Sequence, residues 1–234
     1  MFLKLLQISV QNSNPSEVTE STEKTLSIWE LITNGGVGGG IIMLTLFVLS
    51  IIAVYIIIER YLAIKAASKD DVNFMNQIKD FILDGKFDAA KALCKSTNTP
   101  VARMIEKGIS RIGKPLNDIA TAIETTGKLE LNKLEKNLST LATISGAAPM
   151  IGFLGTVIGM ILAFHEMASA GGNIEVEMLA EGIYTAMITT VAGLVVGIIA
   201  YIGYNILVAK VEKIVFVLEA RSTEFLDILH EPAV

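Results

Sequence analysis

Charge is what this sequence lacks, and the shortage is local. Only 18% of its 234 residues are charged, against about a quarter in ordinary soluble domains. Three stretches, 31–58, 137–164 and 182–209, hold no Asp, Glu, Lys or Arg, and each is 28 residues long. A helix needs roughly 20 apolar residues to cross the hydrocarbon core, and at about 1.5 Å per residue each stretch reaches through the headgroups as well. A soluble domain of this size has no interior to hide three such helices. Cysteine is nearly absent too. Cys94 stands alone, so no intramolecular disulfide forms. The two histidines, His165 and His230, are far apart, and no His/Cys/Asp cluster has metal-ligand spacing. Nor is there a GxxxxGK[ST] loop, or a GxGxxG following a strand. No metal, cofactor, nucleic-acid partner or enzymatic chemistry is expected. The expected fold is an all-α integral membrane protein with three transmembrane helices, two of them extended into a cytoplasmic helical domain.

The basic residues set the expected topology. Of 19 Lys and Arg, 14 lie between Arg60 and Lys136, and such residues mark the cytoplasmic side. Segment 165–181 has none but carries Glu166, Glu175, Glu177 and Glu181, while Lys210, Lys213 and Arg221 follow the third span. Segment 1–30 is therefore expected outside, 59–136 inside, hairpin 165–181 outside and tail 210–234 inside. Trp29 and Tyr61 flank the first span as interfacial aromatics. Residues 1–10 resemble a stunted signal peptide with too short an apolar core, and are expected to be retained as a short amphipathic helix at the membrane surface.

Between the first two spans the pattern is helical. Asp70 and Asp71 are expected to cap a helix ending near Gly85, with Phe74, Ile78, Phe81 and Ile82 on its apolar face. Further helices are expected at 87–95 and 101–112, the latter ending at Gly113-Lys114-Pro115. From Leu116 no strong breaker appears, so one helix is expected to run into the second span. The third span is expected to continue inward through Ile214, Leu218, Phe225 and Leu229.

The second and third spans are rich in small residues. Pro149, Gly152, Thr156, Gly159 and Ala163 recur on one face of the second; Thr185, Thr189, Gly193 and Gly197 recur at spacings of four in the third. Gly155 and Gly159, like Gly193 and Gly197, form GxxxG pairs. Small stripes let helices approach closely, and threonine hydroxyls can bond across helices. Tight packing and nothing more accounts for these stripes about as well as a pore does. Neither face has an obvious partner in one chain large enough to cover it, so a stable monomer is not expected. No span holds an ionisable side chain away from its ends, whereas proton relays need one. If this chain moves protons, the titrating group comes from a partner helix.

The run APMIGFLGTVIGMILAF at 148–164, with TTVAGL at 189–194 and Tyr204-Asn205, resembles the signature of the MotA/TolQ/ExbB proton-channel family, nearest its ExbB branch. The order of spans resembles that family as well. The resemblance implies a homopentamer in a bacterial inner membrane whose second and third spans ring a pore. That pore would hold single-span partners of the ExbD/TolR type, each carrying a membrane aspartate, and the assembly would use proton motive force to pull on a TonB-like protein. It implies that Thr156 and Thr190 face the aspartate, with Thr189 and Thr185 along the path, and that Pro149, Gly152, Gly155, Gly159, Gly193 and Gly197 pack the helices. Two positions depart from the pattern: Thr185 stands where many relatives carry Glu, and Ile199 where many carry Pro. A TolQ-like role in envelope maintenance and a purely structural scaffold remain as alternatives. A self-contained transporter is disfavoured by the lack of intramembrane charge and of paired broken helices.

Overall fold

The computed structural model describes residues 36–68, 72–169 and 176–230, with the side chains of 36–38, 72, 176–178 and 181 left aside. The expectations for segment 1–30, Trp29, Asp70, Asp71 and the acids of the hairpin from Glu175 to Glu181 lie outside what is described. Seven helices make up the rest: α1 (Gly36–Ala67), α2 (Val72–Leu83), α3 (Phe87–Thr97), α4 (Pro100–Ile109), α5 (Leu116–Glu135), α6 (Leu138–Ser169) and α7 (Val176–His230). No strand occurs among the described residues. The protein is all-α, with three helices, α1, α6 and α7, long and apolar enough to cross a membrane.

The spans pack as a three-helix bundle in which each touches the other two, and among the extramembrane helices α2, α4 and α5 pack against the far part of α7. That helix is 55 residues long, or about 80 Å, so one rigid rod belongs to both parts. Its far end carries Leu218 and Phe225 into a core with Met104, Ile105 and Ile123. A Cβ on Gly108 would stand 2.7 Å from Phe225 Cε1 and 2.8 Å from Ile123 Cδ1, so α4 lies against both neighbours with no side chain between. Local chemistry sets the boundaries. Thr99 caps α4 by accepting from Ala102 N at 3.2 Å, and Pro100 follows at its first position. Gly85 and Gly113 take the left-handed φ of +73° and +94° that end short helices here.

One expectation fails at the entrance to the second span. Residues from Leu116 onward read as a single helix, but α5 ends at Glu135 and Asn137 adopts φ +65° before α6 begins. Asparagine tolerates that conformation better than most residues, so no glycine or proline announced the break. A helix end leaves its last carbonyls without donors. The Lys133 carbonyl, whose donor in an unbroken helix would be Asn137 N–H, instead accepts from Arg60 Nη1 at 2.9 Å. Arg60 is buried, and its remaining guanidinium nitrogens bond both carboxylate oxygens of Glu59. Beside it Glu130, also buried, accepts from Arg103 Nη2 at 2.5 Å and Lys133 Nζ at 2.6 Å. Burial pushes its carboxyl upward, but the two cations outweigh burial and hold it below the usual range. The depressed value means this cluster stabilises the fold above the ordinary carboxylate pKa, an increment lost as pH falls through the folded value.

Arg60 thus ties α1 to the end of α5. Arg60→Met removes the donor and leaves a helix-end carbonyl without its partner and the Glu59 carboxylate without its guanidinium, a loss of about 1–3 kcal/mol. The expected outcome is a lower melting temperature in detergent with helix content unchanged before melting. An unshifted melting curve would show that the tie does not contribute.

Candidate functional site

The small-residue faces of α6 and α7 pack against each other. The expectation that they lack a partner within one chain is overturned, because each covers the other. A Cβ on Gly193 would stand 2.6 Å from the Ala148 carbonyl oxygen and 2.9 Å from Gly152 Cα; one on Gly152 would stand 2.7 Å from the Thr189 carbonyl oxygen. Gly155 lies against the Thr189 side chain, Gly159 against Ala186, and Gly197 against the ring of Pro149. Pro149 has no N–H, so the Ser145 carbonyl loses its helical donor. Gly197 approaches that oxygen too, its Cβ position 3.1 Å away.

This proximity builds a reciprocal hydroxyl pair. Thr156 Oγ1 donates to the Ala186 carbonyl at 3.1 Å, and Thr190 Oγ1 donates to the Gly152 carbonyl at 3.2 Å. Ala186 precedes Thr190 by four residues and Gly152 precedes Thr156 by four. Each hydroxyl thus reaches the carbonyl that the other threonine's own backbone N–H bonds within its helix. The two hydroxyls also bond each other. Two protons serve three contacts, so one hydroxyl can point to its carbonyl while the other points to its neighbour. Both threonines are half-buried at the edge of an open apolar face, where Phe153 is 63% and Leu194 46% exposed.

The other threonines are placed differently. Thr189 is 2% exposed, its hydroxyl bonded to the Ala186 carbonyl at 2.7 Å and the Gly152 carbonyl at 3.2 Å; within this chain it lies in the helix contact rather than on the open face. Thr185 stands apart, its methyl 3.9 Å from the Cβ position of Gly39 on α1. The reason is arithmetic: a spacing of four drifts about 40° per step, so Thr185 lies about 120° around α7 from Gly197. The face that meets α6 is Gly182, Ala186, Thr189 with Thr190, Gly193 and Gly197, spacings of three and four mixed. Gly182 packs on Ala163, an approach the sequence reading missed although the mixed spacing was there to find. The carbonyls of Gly152 and Ala186 were also missed, since no residue type marks a backbone acceptor.

Among the described residues no other site competes in chemistry. Cys94 is buried, and burial, then the Glu106 charge, pushes its thiol up to about 12, so it is a packed neutral residue. Among the described residues no group of His, Cys, Asp and Glu is placed to hold a metal.

Residues 96–220, just over half the chain, match the model of the MotA/TolQ/ExbB proton channel family. The chain belongs to that family. The matched residues include α4, α5, α6 and most of α7, and so the whole hydroxyl pair with the glycines that permit it. An ExbB homolog of Methanothermobacter thermautotrophicus, described as a biopolymer transport protein, is 32% identical over 128 residues, 55% of this chain but 44% of that protein. The Tol-Pal system protein TolQ of Pseudomonas aeruginosa is 27% identical over 215 residues, 87% of this chain and 93% of that one. A biopolymer transport protein of Helicobacter pylori named ExbB-like 2 is 42% identical over 105 residues, 45% of this chain and 63% of the relative.

The glycine contacts separate two kinds of small residue. At Gly193 any side chain meets backbone atoms that cannot move aside, so Gly193→Leu forces α6 and α7 apart at a cost of about 1–3 kcal/mol or more. Gly146 on α6 has nothing within 4 Å of its Cβ position, so Gly146→Ala is expected to be neutral in the single chain. Thermal melting in detergent of the two variants checks this contrast. Equal behaviour would contradict the packing described.

Proposed function

We propose that this chain is the channel subunit of a proton-driven assembly in a bacterial inner membrane, of the ExbB–ExbD type, that energises TonB-dependent transport across the outer membrane. The observation that carries it is the Thr156–Thr190 hydroxyl pair, set at an open face of two spans whose charge-free stretches contain no Asp, Glu, Lys, Arg or His. The chain orders hydroxyls but supplies no proton carrier. The proposed carrier is an aspartate on the single span of an ExbD/TolR-like partner, enclosed by a homopentamer whose α6 and α7 line the pore. A threonine hydroxyl donates to an ionised carboxylate and accepts from a protonated one. Giving up a bond to the Gly152 or Ala186 carbonyl leaves that oxygen its helical N–H, so either hydroxyl can turn to the carboxylate at small cost. Thr189 and Thr185 then support the path from behind rather than touch the carrier. Charge favours a membrane orientation with α2–α5 and the end of α7 in the cytoplasm and the α6–α7 hairpin in the periplasm. On this reading the protein has no enzymatic chemistry.

A TolQ-type role in envelope maintenance is the second reading, favoured by a match that runs over nearly the full length of the Pseudomonas protein. Complementation of strains lacking either system separates the two.

Valine nearly matches threonine in shape but has no hydroxyl. Thr156→Val and Thr190→Val are expected to assemble with the partner yet lose proton-driven work, while Thr→Ser at either site keeps part of it. If packing were the whole role, Ser would be the worse change and Val the milder. The measurement is energy-dependent uptake in a strain lacking the native subunit, with assembly checked by co-purification. Valine variants that work normally would remove the role assigned to the pair.

A further inference from the structure

Outside the spans an exposed aromatic ring and a groove with an apolar floor lie near each other. Phe216 is 72% exposed, the most exposed of the described large apolar residues beyond the spans. It follows Lys210, Glu212 and Lys213, so it lies past the charge-free stretch where lipid would cover it. Nearby, α5 and α7 diverge to leave a groove of about 420 Å³. Its floor is apolar, formed by Met104, Gly127, Leu131 and Leu218, and Glu219 and Ser222 stand on its α7 wall.

A protomer cannot fill its own groove with its own Phe216. Val215 and Leu218 line the groove, and Phe216 points about 100° and 160° away from them around the same helix. The aromatic ring and the groove are therefore on different faces of one chain, the arrangement of a head-to-tail contact, which closes into a ring when the rotation permits. Charge agrees. Lys213, one turn before Phe216, and Glu219, on the groove wall, are both exposed and have no ion-pair partner among the described residues. A second copy seating its Phe216 in the groove carries its Lys213 toward that Glu219, which favours this register over others.

We infer that the groove between α5 and α7 receives Phe216 of a neighbouring copy of this chain, and that this contact closes the ring of subunits outside the membrane. The inference rests on the homo-oligomer proposed above and names its contact. Aromatic anchors seated in apolar pockets carry much of the binding in such interfaces.

The test is site-directed cross-linking of the full chain in membranes with a short bismaleimide. The native Cys94 is buried, so the unmodified chain serves as the unreactive background. A chain carrying both Glu212→Cys, one turn from Phe216 on the same side of α7, and Ser222→Cys keeps the aromatic ring and is expected to give a ladder of linked species up to the full ring, at least tenfold above either single variant. Native mass spectrometry of the unlinked protein in mild detergent is read alongside. An intact oligomer with no ladder would overturn the groove contact while leaving the homo-oligomer standing. Single chains throughout would overturn both. Linking by Glu212→Cys alone would indicate a two-fold contact between like residues and would overturn the head-to-tail arrangement. Phe216→Ala offers a second reading: it is expected to shift the oligomer toward smaller species with helix content unchanged, and no shift would count against the anchor.

Discussion

The backbones of α6 and α7 touch where Gly152 meets Gly193, and no side chain fits between them. A Cβ on Gly193 would stand 2.9 Å from Gly152 Cα, closer than real carbon atoms come. Everything distinctive in the membrane part follows from that approach. Threonine is short, so its hydroxyl reaches the neighbouring helix's carbonyl only when the two backbones are this close. With the helices held so, Thr156 and Thr190 bond across to the Ala186 and Gly152 carbonyls and to each other. Any larger residue at the contact would leave the hydroxyls turned back on their own helices, as Thr143 is toward the Ser139 carbonyl at 2.9 Å.

Much of this was legible in the sequence because membranes impose simple rules. Three charge-free stretches gave the spans, and length did the rest. The extramembrane helices were legible from Gly85, Thr99-Pro100 and Gly113, residues whose conformational preferences act locally. The break at Asn137 was not legible, because its energy comes from a donor 73 residues away in sequence: Arg60 satisfies the carbonyl that the break exposes. The face of α7 was half legible. Reading it at spacings of four caught Gly193 and Gly197 but also took in Thr185, which lies toward Gly39 of α1, while the mixed spacing through Gly182 and Ala186 follows the contact with α6. Thr156 and Thr190 were named through resemblance to a family. The structure adds their reciprocal bonding, which no pattern of residue types contains, because half of it is backbone.

The division of labour in the molecule is physical. The spans offer hydroxyls, carbonyls and apolar surface, and their charge-free stretches hold no Asp, Glu, Lys, Arg or His. Charge is concentrated at the junction and beyond, where Arg60, Glu130, Arg103 and Lys133 lock α1, α4 and α5 together. Because α7 is one continuous helix through both regions, it joins the membrane contact to the groove and the core around Phe225.

The central claim is that this chain arranges a proton path but cannot carry a proton along it alone. Proton flux into liposomes under an imposed membrane potential, measured with an internal pH dye, tests this directly. The purified chain by itself is expected to conduct no more than empty liposomes, and flux is expected to appear when a single-span partner with a membrane aspartate is co-reconstituted and to vanish when that aspartate is replaced by asparagine. Proton flux through the chain without any partner would contradict the account.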